Sequence, residues 1–584
     1  MIRFSRTHAP RIARPLIFSL VLLSAGAAFA DNSKISPDLL PLLNNQSNSL
    51  NVIVQYQPCP TGLLAGLTCT VGKLVGGVVN LTFSLINGVT ATMHPSDIIN
   101  TSNLSNVAYI SLDRPVRPML DYTAATVNAN YAWSNGLDGS GIGIAVIDSG
   151  IYLHPDLNKP NSHTSRVVYR QSFVPGEQND DYGHGTHVAG IAAGNGYSSS
   201  QTGAFRTFKG IAPNANLIDL RVLDANGMSS DSVVIQALEK AVALKNQYNI
   251  RVINLSLGRP IQESCSVDPL CQAVESAWKS GIVVVVAAGN LGRNGYSTVL
   301  APGNSPHAIT VGCMKSMGTY GRADDQIASY SSKGPTYIDL TAKPDIVAPG
   351  NLVDSLLAPN SSLEQLYPGN VVPASQYTTA HVTGTPAYFT LSGTSMATPV
   401  VSGTVALMLQ KQPNLTNDTV KARLMKSASK TFPLYSTATD PTTGQTFFDT
   451  YDLFTVGAGY LDARAALENN DPVNGSAASP SVLYIPLFNT ALLMPNFTQS
   501  WWTSSSMATS AVWGSQVLSP APTSAVWGSS AVWGSSAVWG SSAVWGSSAV
   551  WGSSAVWGSS AVWGSSAVWG SSAVWGSTTG VGEK

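Results

Sequence analysis

Charge is what this sequence has least of. Only 11% of its 584 residues are Asp, Glu, Lys or Arg, against roughly 25% in ordinary soluble domains. The formal net charge of -1 supplies no long-range field to steer a polyanion, which excludes a charge-driven nucleic-acid binder. Cysteine is scarce too. The five cysteines include none at metal-ligand spacing with a histidine, so no zinc or other metal site is assigned. Acidic clusters with calcium-ligand spacing are also missing. Beyond residue 30 no window reaches eighteen uninterrupted apolar positions, about what a membrane-spanning helix needs.

The shortage of charge is uneven. From Pro472 to Gly582 there are 111 residues without one charged side chain, and twelve of the fourteen tryptophans fall there. Ser524 to Ser577 is nine tandem copies of Ser-Ala-Val-Trp-Gly-Ser, with an isolated copy at Ser510–Ser515. An even period puts every Trp of an extended strand on one face, whereas six residues of α-helix turn through about 600° and scatter them. The tail therefore reads as a stacked β array, as an aromatic ladder contacting envelope or carbohydrate, or as a Gly/Ser-rich low-complexity segment.

At the other end, Arg3, Arg6, Arg11 and Arg14 precede an apolar run from Leu16 to Ala27 and a small-x-small site at Ala28-Phe29-Ala30. That order is a cleaved secretory signal, and the run is too short to serve as an anchor. The mature chain is expected outside the cytosol (extracellular, periplasmic or attached to the cell surface), where disulfides persist. Cys59 with Cys69, and Cys265 with Cys271, are each close enough in sequence to close a small loop, so both pairs are disulfide candidates. Cys313, in an apolar run, reads as a buried thiol.

A chain of this length exceeds one core. Strand-like runs at Val52–Tyr56, Val78–Ile86 and Ala108–Leu112 suggest a small α+β unit. Beyond Asp121, apolar-rich runs at Ile142–Ile147, Leu217–Leu223, Val252–Leu257 and Ile282–Ala288, the first and last unbroken, alternate with helical spacing at Ser230–Lys245 and Asp268–Ser280. Runs apolar at every position mark strands covered on both faces, so the expected class is α/β with a central, mainly parallel sheet between helix layers. It closes near residue 468. Residues 469–523 read as a linker, 524–577 as the repeats and 578–584 as the end.

Functional groups gather at the carboxyl ends of such strands. Asp148 ends the run Gly143-Ile144-Ala145-Val146-Ile147. His184 stands between two glycines in Asp180-Asp181-Tyr182-Gly183-His184-Gly185-Thr186-His187. Ser395 opens an apolar helix in Gly393-Thr394-Ser395-Met396-Ala397-Thr398-Pro399, with Pro399 read as lying in the first turn, where a missing N–H is harmless. Each alone has another explanation: Asp148 as a helix cap or turn former, His184 with His187 as an incomplete metal pair lacking a third nearby ligand, Ser395 as a helix cap. Together, in the order Asp, His, Ser, they resemble the subtilisin-type serine proteases, the subtilases of peptidase family S8, over residues 121–468.

The resemblance implies a three-layer subtilisin-like fold and a serine endopeptidase with Asp148, His184 and Ser395 as its triad. Asn290, which ends Val283-Val284-Val285-Val286-Ala287-Ala288-Gly289, matches the oxyanion-hole asparagine, with the Ser395 amide as second donor. In subtilisin itself, loss of that asparagine costs about 10² to 10³ in turnover. Gly227, Met228 and Ser229, and Leu255, Ser256, Leu257 and Gly258, match the segments that pair with an extended peptide. Leu291 and Leu300 suggest an apolar S1 pocket, and Arg259 stands where relatives have a small residue. Residues 31–120 resemble the family's propeptide, which assists folding and inhibits. Catalysis requires no cofactor, and structural calcium, frequent in the family, is allowed for without assigned ligands. The partners implied are protein or peptide substrates and the chain's own propeptide. The alternative function is a surface adhesion protein in which the Trp repeats bind and the protease-like domain is a scaffold.

Overall fold

The computed structural model describes residues 32–36, 39–44, 49–57, 74–83, 87–112, 120–176, 178–379, 386–440, 444–471, 473, 475–485 and 490–494. The expected leader at 1–30 and the hexapeptide repeats lie outside the described residues. So do Cys59 and Cys69, the first of the two expected disulfide pairs. The chain divides into two units, Met1–Val116 and Arg117–Lys584.

In the first unit, strands β1 (Leu50–Tyr56), β2 (Val78–Phe83), β3 (Gly88–Met93) and β4 (Val107–Leu112) form an antiparallel sheet in the order β2-β3-β1-β4. Alternation in β1 turns Val52, Val54 and Tyr56 inward, where they meet Ile98 of helix α1 (Pro95–Ser102) and Ile110 of β4 in one core. The unit is α+β. Its β3, built from Gly-Val-Thr-Ala-Thr-Met, carries too little apolar contrast to stand out in the sequence.

The second unit is built on an eight-stranded sheet. Its strands are β5 (Gly143–Asp148), β6 (Val167–Ser172), β7 (Asn216–Arg221), β8 (Ile250–Leu255), β9 (Val283–Ala287), β10 (Ile309–Lys315), β11 (Gln326–Ile327) and β12 (Ile346–Pro349). The order is β11-β10-β9-β8-β5-β7-β6, with β12 also on β10, and every pairing is parallel except β10 with β11. All residues of β5, β9 and β10 are buried, as continuous apolar runs require of strands covered on both faces. Helices α2 (His184–Ala193) and α5 (Thr394–Lys411) pack together on one set of contacts with the sheet, and α3 (Asp231–Tyr248) and α4 (Pro269–Lys279) on another. The chain passes from β5 to β7 on one side and later to β8 on the other, so the strand order reverses at β5. The crevice outside the carboxyl ends at such a reversal is where an open α/β sheet gathers its reactive groups.

The unit does not close at residue 468. Past the helix Ala463–Glu468, the Ser479 amide donates to the Pro306 carbonyl (2.7 Å), Ala342 donates to Pro480 (2.8 Å) and Val482 donates to Leu340 (2.8 Å). Ser479 also donates its hydroxyl to Asp345, a fully buried carboxylate shared with Lys343 and Lys421. An antiparallel hairpin, Ser481–Ile485 with Thr490–Met494, follows, and Val482 enters a core cluster. The start of the expected linker at 469–523 is therefore folded. The absence of charge signals solvent exposure only when apolar side chains are absent too, and here they are not.

Candidate active site

Asp148 is the last residue of β5 and fully buried. Its Oδ1 accepts from the Ser149 amide at 2.8 Å and from His184 Nδ1 at 2.7 Å. Donation from Nδ1 fixes the tautomer and leaves Nε2 bare, the form in which an imidazole acts as a base. Burial disfavours the imidazolium of His184, but the charge and hydrogen bond of Asp148, with Asp180 behind it, outweigh burial and hold the ring's pKa above its ordinary value.

Asp180 organises the turn that carries the histidine. Its carboxylate accepts from the Ser149 hydroxyl and from the amides of Gly183 and Thr186, each at 2.7 Å. Burial raises its own pKa in spite of these donors. The two glycines beside His184 are required because their backbones are pressed against neighbours. At Gly183 (φ +100°) a Cβ would lie 2.5 Å from Ser361 Oγ, and at Gly185 it would lie 2.2 Å from the Gly150 carbonyl oxygen.

His187 does not share in the site. Its Nε2 donates to the carbonyls of Val353 (3.0 Å) and Phe389 (2.9 Å), and burial, then the nearby His184, pushes its pKa down to about 3.

Ser395 is the second residue of α5, where backbone N–H groups have no intrahelical acceptor. Pro399 lies inside the helix and not in its first turn. Lacking an N–H, it leaves the Ser395 carbonyl without its usual partner four residues on. The Ser256 hydroxyl donates there instead, at 2.8 Å. Ser256 is held by Asn254 Nδ2 (3.0 Å), and Asn254 Oδ1 accepts from the Ser402 hydroxyl (2.8 Å), so a buried polar chain runs beneath the serine. The Ser395 hydroxyl donates to the Ser256 carbonyl (3.1 Å), and among the described residues His184 Nε2 has no hydrogen-bond partner. Asp148 and His184 are thus in contact, while Ser395 is turned toward Ser256.

The Asn290 side chain is oriented by Thr394, whose amide (2.9 Å) and hydroxyl (3.1 Å) both donate to Oδ1. Fixing the carbonyl end points the amino end, the donor an oxyanion requires, the other way. Leu255 ends β8 with its side chain in the core, so only its main chain is available to a ligand. Ser256, Leu257 and Gly258 are also buried, whereas Met228, Ser229 and Leu291 are partly exposed. Gly227 (φ +74°) lies against the ring of Tyr182, 2.7 Å from where its Cβ would be. Leu300 fills the space between two glycines: its Cβ lies 3.0 Å from a Cβ built at Gly258, and its Cγ 2.6 Å from one at Gly289.

Of the two disulfides expected, the one found among the described residues joins Cys265 and Cys271 around the start of α4. The other pair, Cys59 and Cys69, falls outside the described residues, so that expectation stands without a structural counterpart. Cys313 is a buried free thiol.

Sequence reasoning passed over Asp180, Tyr182, Asn254 and Ser402. Asp180 and Tyr182 stand inside the histidine motif, and that proximity was the available signal. Nothing local marks Ser402, whose partner Asn254 is 148 residues away.

The family model of the subtilases matches residues 139–459. Serine protease AprX of Bacillus subtilis (strain 168) is 39% identical over 360 residues, 60% of this chain and 75% of that protein. Subtilisin E of the same organism is 35% identical over 362 residues, 61% of this chain and 78% of its own length. The crystal structure of a cold adapted subtilisin-like serine proteinase, 29% identical, aligns over 50% of this chain and 84% of that one with a TM-score of 0.36. The family match spans more than half the chain and takes in the Asp, His and Ser motifs together, and on that ground the chain belongs to the subtilase family of serine proteases.

Proposed function

We propose that this protein is an exported serine endopeptidase, made with an inhibitory propeptide and acting through Asp148, His184 and Ser395. The observation that carries the reading is the 2.7 Å contact of His184 Nδ1 with a buried carboxylate, which leaves Nε2 as base beside the helix that bears Ser395. Rotation of the Ser395 side chain away from Ser256 presents its hydroxyl to Nε2. His184 then takes the proton as Oγ attacks the scissile carbonyl, and the oxyanion is met by Asn290 Nδ2 and the Ser395 amide. The imidazolium, stabilised by Asp148, returns the proton to the leaving amine, and water hydrolyses the acyl-enzyme. No cofactor enters these steps.

The segments 227–229 and 255–258 are read as walls that pair with the substrate backbone, which suits a broad endopeptidase. Leu300, packed between Gly258 and Gly289, supports an apolar S1 pocket. The separate α+β unit with its own core supports a propeptide in residues 31–120. A template of this kind suits a parallel sheet, whose contacts are distant in sequence and slow to form.

Ser395→Ala tests the reading. Casein digestion is expected to vanish, and mass spectrometry to find the propeptide still attached. Normal digestion by that variant would refute it; no digestion by the unmodified protein would instead favour the adhesion alternative, in which deletion of 510–584 abolishes binding to envelope or polysaccharide.

A further inference from the structure

Arg259 is the residue whose place after Gly258 departs from the family, and its side chain does not enter a pocket. It turns away to join two helix starts. Its Nε lies 2.9 Å from both carboxylate oxygens of Asp231, and one terminal nitrogen lies 2.9 Å from both oxygens of Asp268. The same nitrogen is 2.8 Å from Asp231 Oδ2. Another donates to the Pro260 carbonyl at 3.2 Å. Asp268 is fully buried and caps α4, accepting from the amides of Leu270 and Cys271. Asp231 is the first residue of α3, two positions after Ser229. The Arg259 backbone is pinned as well, exchanging hydrogen bonds with Ala301 (2.8 and 2.7 Å).

One guanidinium therefore connects three pieces of chain. The end of segment 255–258 carries it, the end of segment 227–229 reaches it through Asp231, and the buried cap of α4 anchors it. The guanidinium side chain is 14% exposed, so the ion pairs are shielded from most of the screening that makes surface pairs weak. A planar fork with fixed donor directions holds two carboxylates at a set separation, which a lysine ammonium cannot do.

We propose that Arg259 is a positioning residue that sets the spacing of the two walls between which an extended peptide lies. The proposal rests on the reading of 227–229 and 255–258 as those walls. A wall out of register weakens the main-chain pairing that a long substrate makes and leaves untouched a substrate too short to reach it.

The test compares Arg259→Ala, Arg259→Lys and Asp231→Asn on a four-residue peptide anilide and on an N-acyl amino-acid ester of the same P1 residue. For Arg259→Ala, KM for the peptide is expected to rise roughly five- to tenfold, which corresponds to about 1–1.4 kcal/mol, with kcat little changed and ester hydrolysis unaltered. Asp231→Asn should move peptide KM in the same direction by less. Arg259→Lys keeps the charge and the fold but loses the fork, so it should resemble the alanine variant, and it serves if that variant does not accumulate. Equal losses on both substrates, or an unchanged peptide KM, would overturn the proposal. Failure of the unmodified enzyme to cleave either substrate would instead refute the proposed function.

Discussion

The Ser256 hydroxyl donates to the Ser395 carbonyl, the acceptor that Pro399 leaves without a helical partner. Three residues from two distant segments thus share one task, keeping the first turn of α5 satisfied where the proposed nucleophile, Ser395, sits. Ser256→Ala should leave a buried carbonyl unpaired and lower stability by about 1–3 kcal/mol. Pro399→Ala restores an N–H at the right position, so the double variant should recover much of the loss. Thermal melting in a Ser395→Ala background, which prevents self-digestion, measures both. Additive losses would contradict this account.

Asp180 acts on His184 through charge. Because the histidine pKa is held above the ordinary value of about 6.5, and the neutral ring is the base, kcat/KM should fall with acid in a limb that lies above that value. Removing a negative charge makes the imidazolium less stable and lowers the pKa. Asp180→Asn should therefore shift the acid limb to lower pH. A pH–rate profile with an unmoved limb would remove Asp180 from the electrostatics of the site.

Asn290 and Thr394 predict a graded series. Asn290→Ala removes the oxyanion donor and should cost about 10² to 10³ in kcat, the range known for subtilisin's own asparagine. Thr394→Val removes one of two bonds that aim the amide and should cost about two- to tenfold, the worth of one net hydrogen bond. Both losses should appear in kcat with KM nearly constant.

The C-terminal hairpin predicts different outcomes for two truncations. A chain ending at residue 471 loses the Ser479 contact with Asp345 and the burial of Val482, and its Tm should fall by roughly 3 °C or more. A chain ending at 494 keeps both and should melt like the full protein, with unchanged kcat/KM. Equal melting of the two truncations would show that the hairpin contributes nothing.

Much of the fold was legible because β5 and β9 are buried on both faces and read as nearly unbroken apolar runs, while β7 and β8, also buried, stay apolar-rich around Asp219, Arg221, Arg251 and Asn254. Asp148 and His184, which the structure brings into contact, stood out because each lies in a long motif at a strand end or helix start, as do the candidates Asn290 and Ser395. What escaped was decided by partners far apart in sequence. Ser256 and Ser395 are 139 residues apart, and Arg259 is only a departure from the family until Asp231 and Asp268 are seen around it. Pro399 was placed too early because helix α5 begins right at Thr394, which only its backbone reveals. The hairpin beyond 480 was hidden by composition, since neutral sequence resembles linker whether or not it packs.

The contact of Gly183 with Ser361 has a consequence for how this enzyme tolerates change. A side chain at 183 would strike a hydroxyl that caps the short helix Ser362–Leu366. The turn that carries His184, the proposed general base, is thus mounted against a loop far downstream in the chain, with no room for a Cβ between Gly183 and Ser361. A larger side chain at residue 361 would press on the turn next to His184, so substitutions in that downstream loop are expected to reach the proposed site through Gly183.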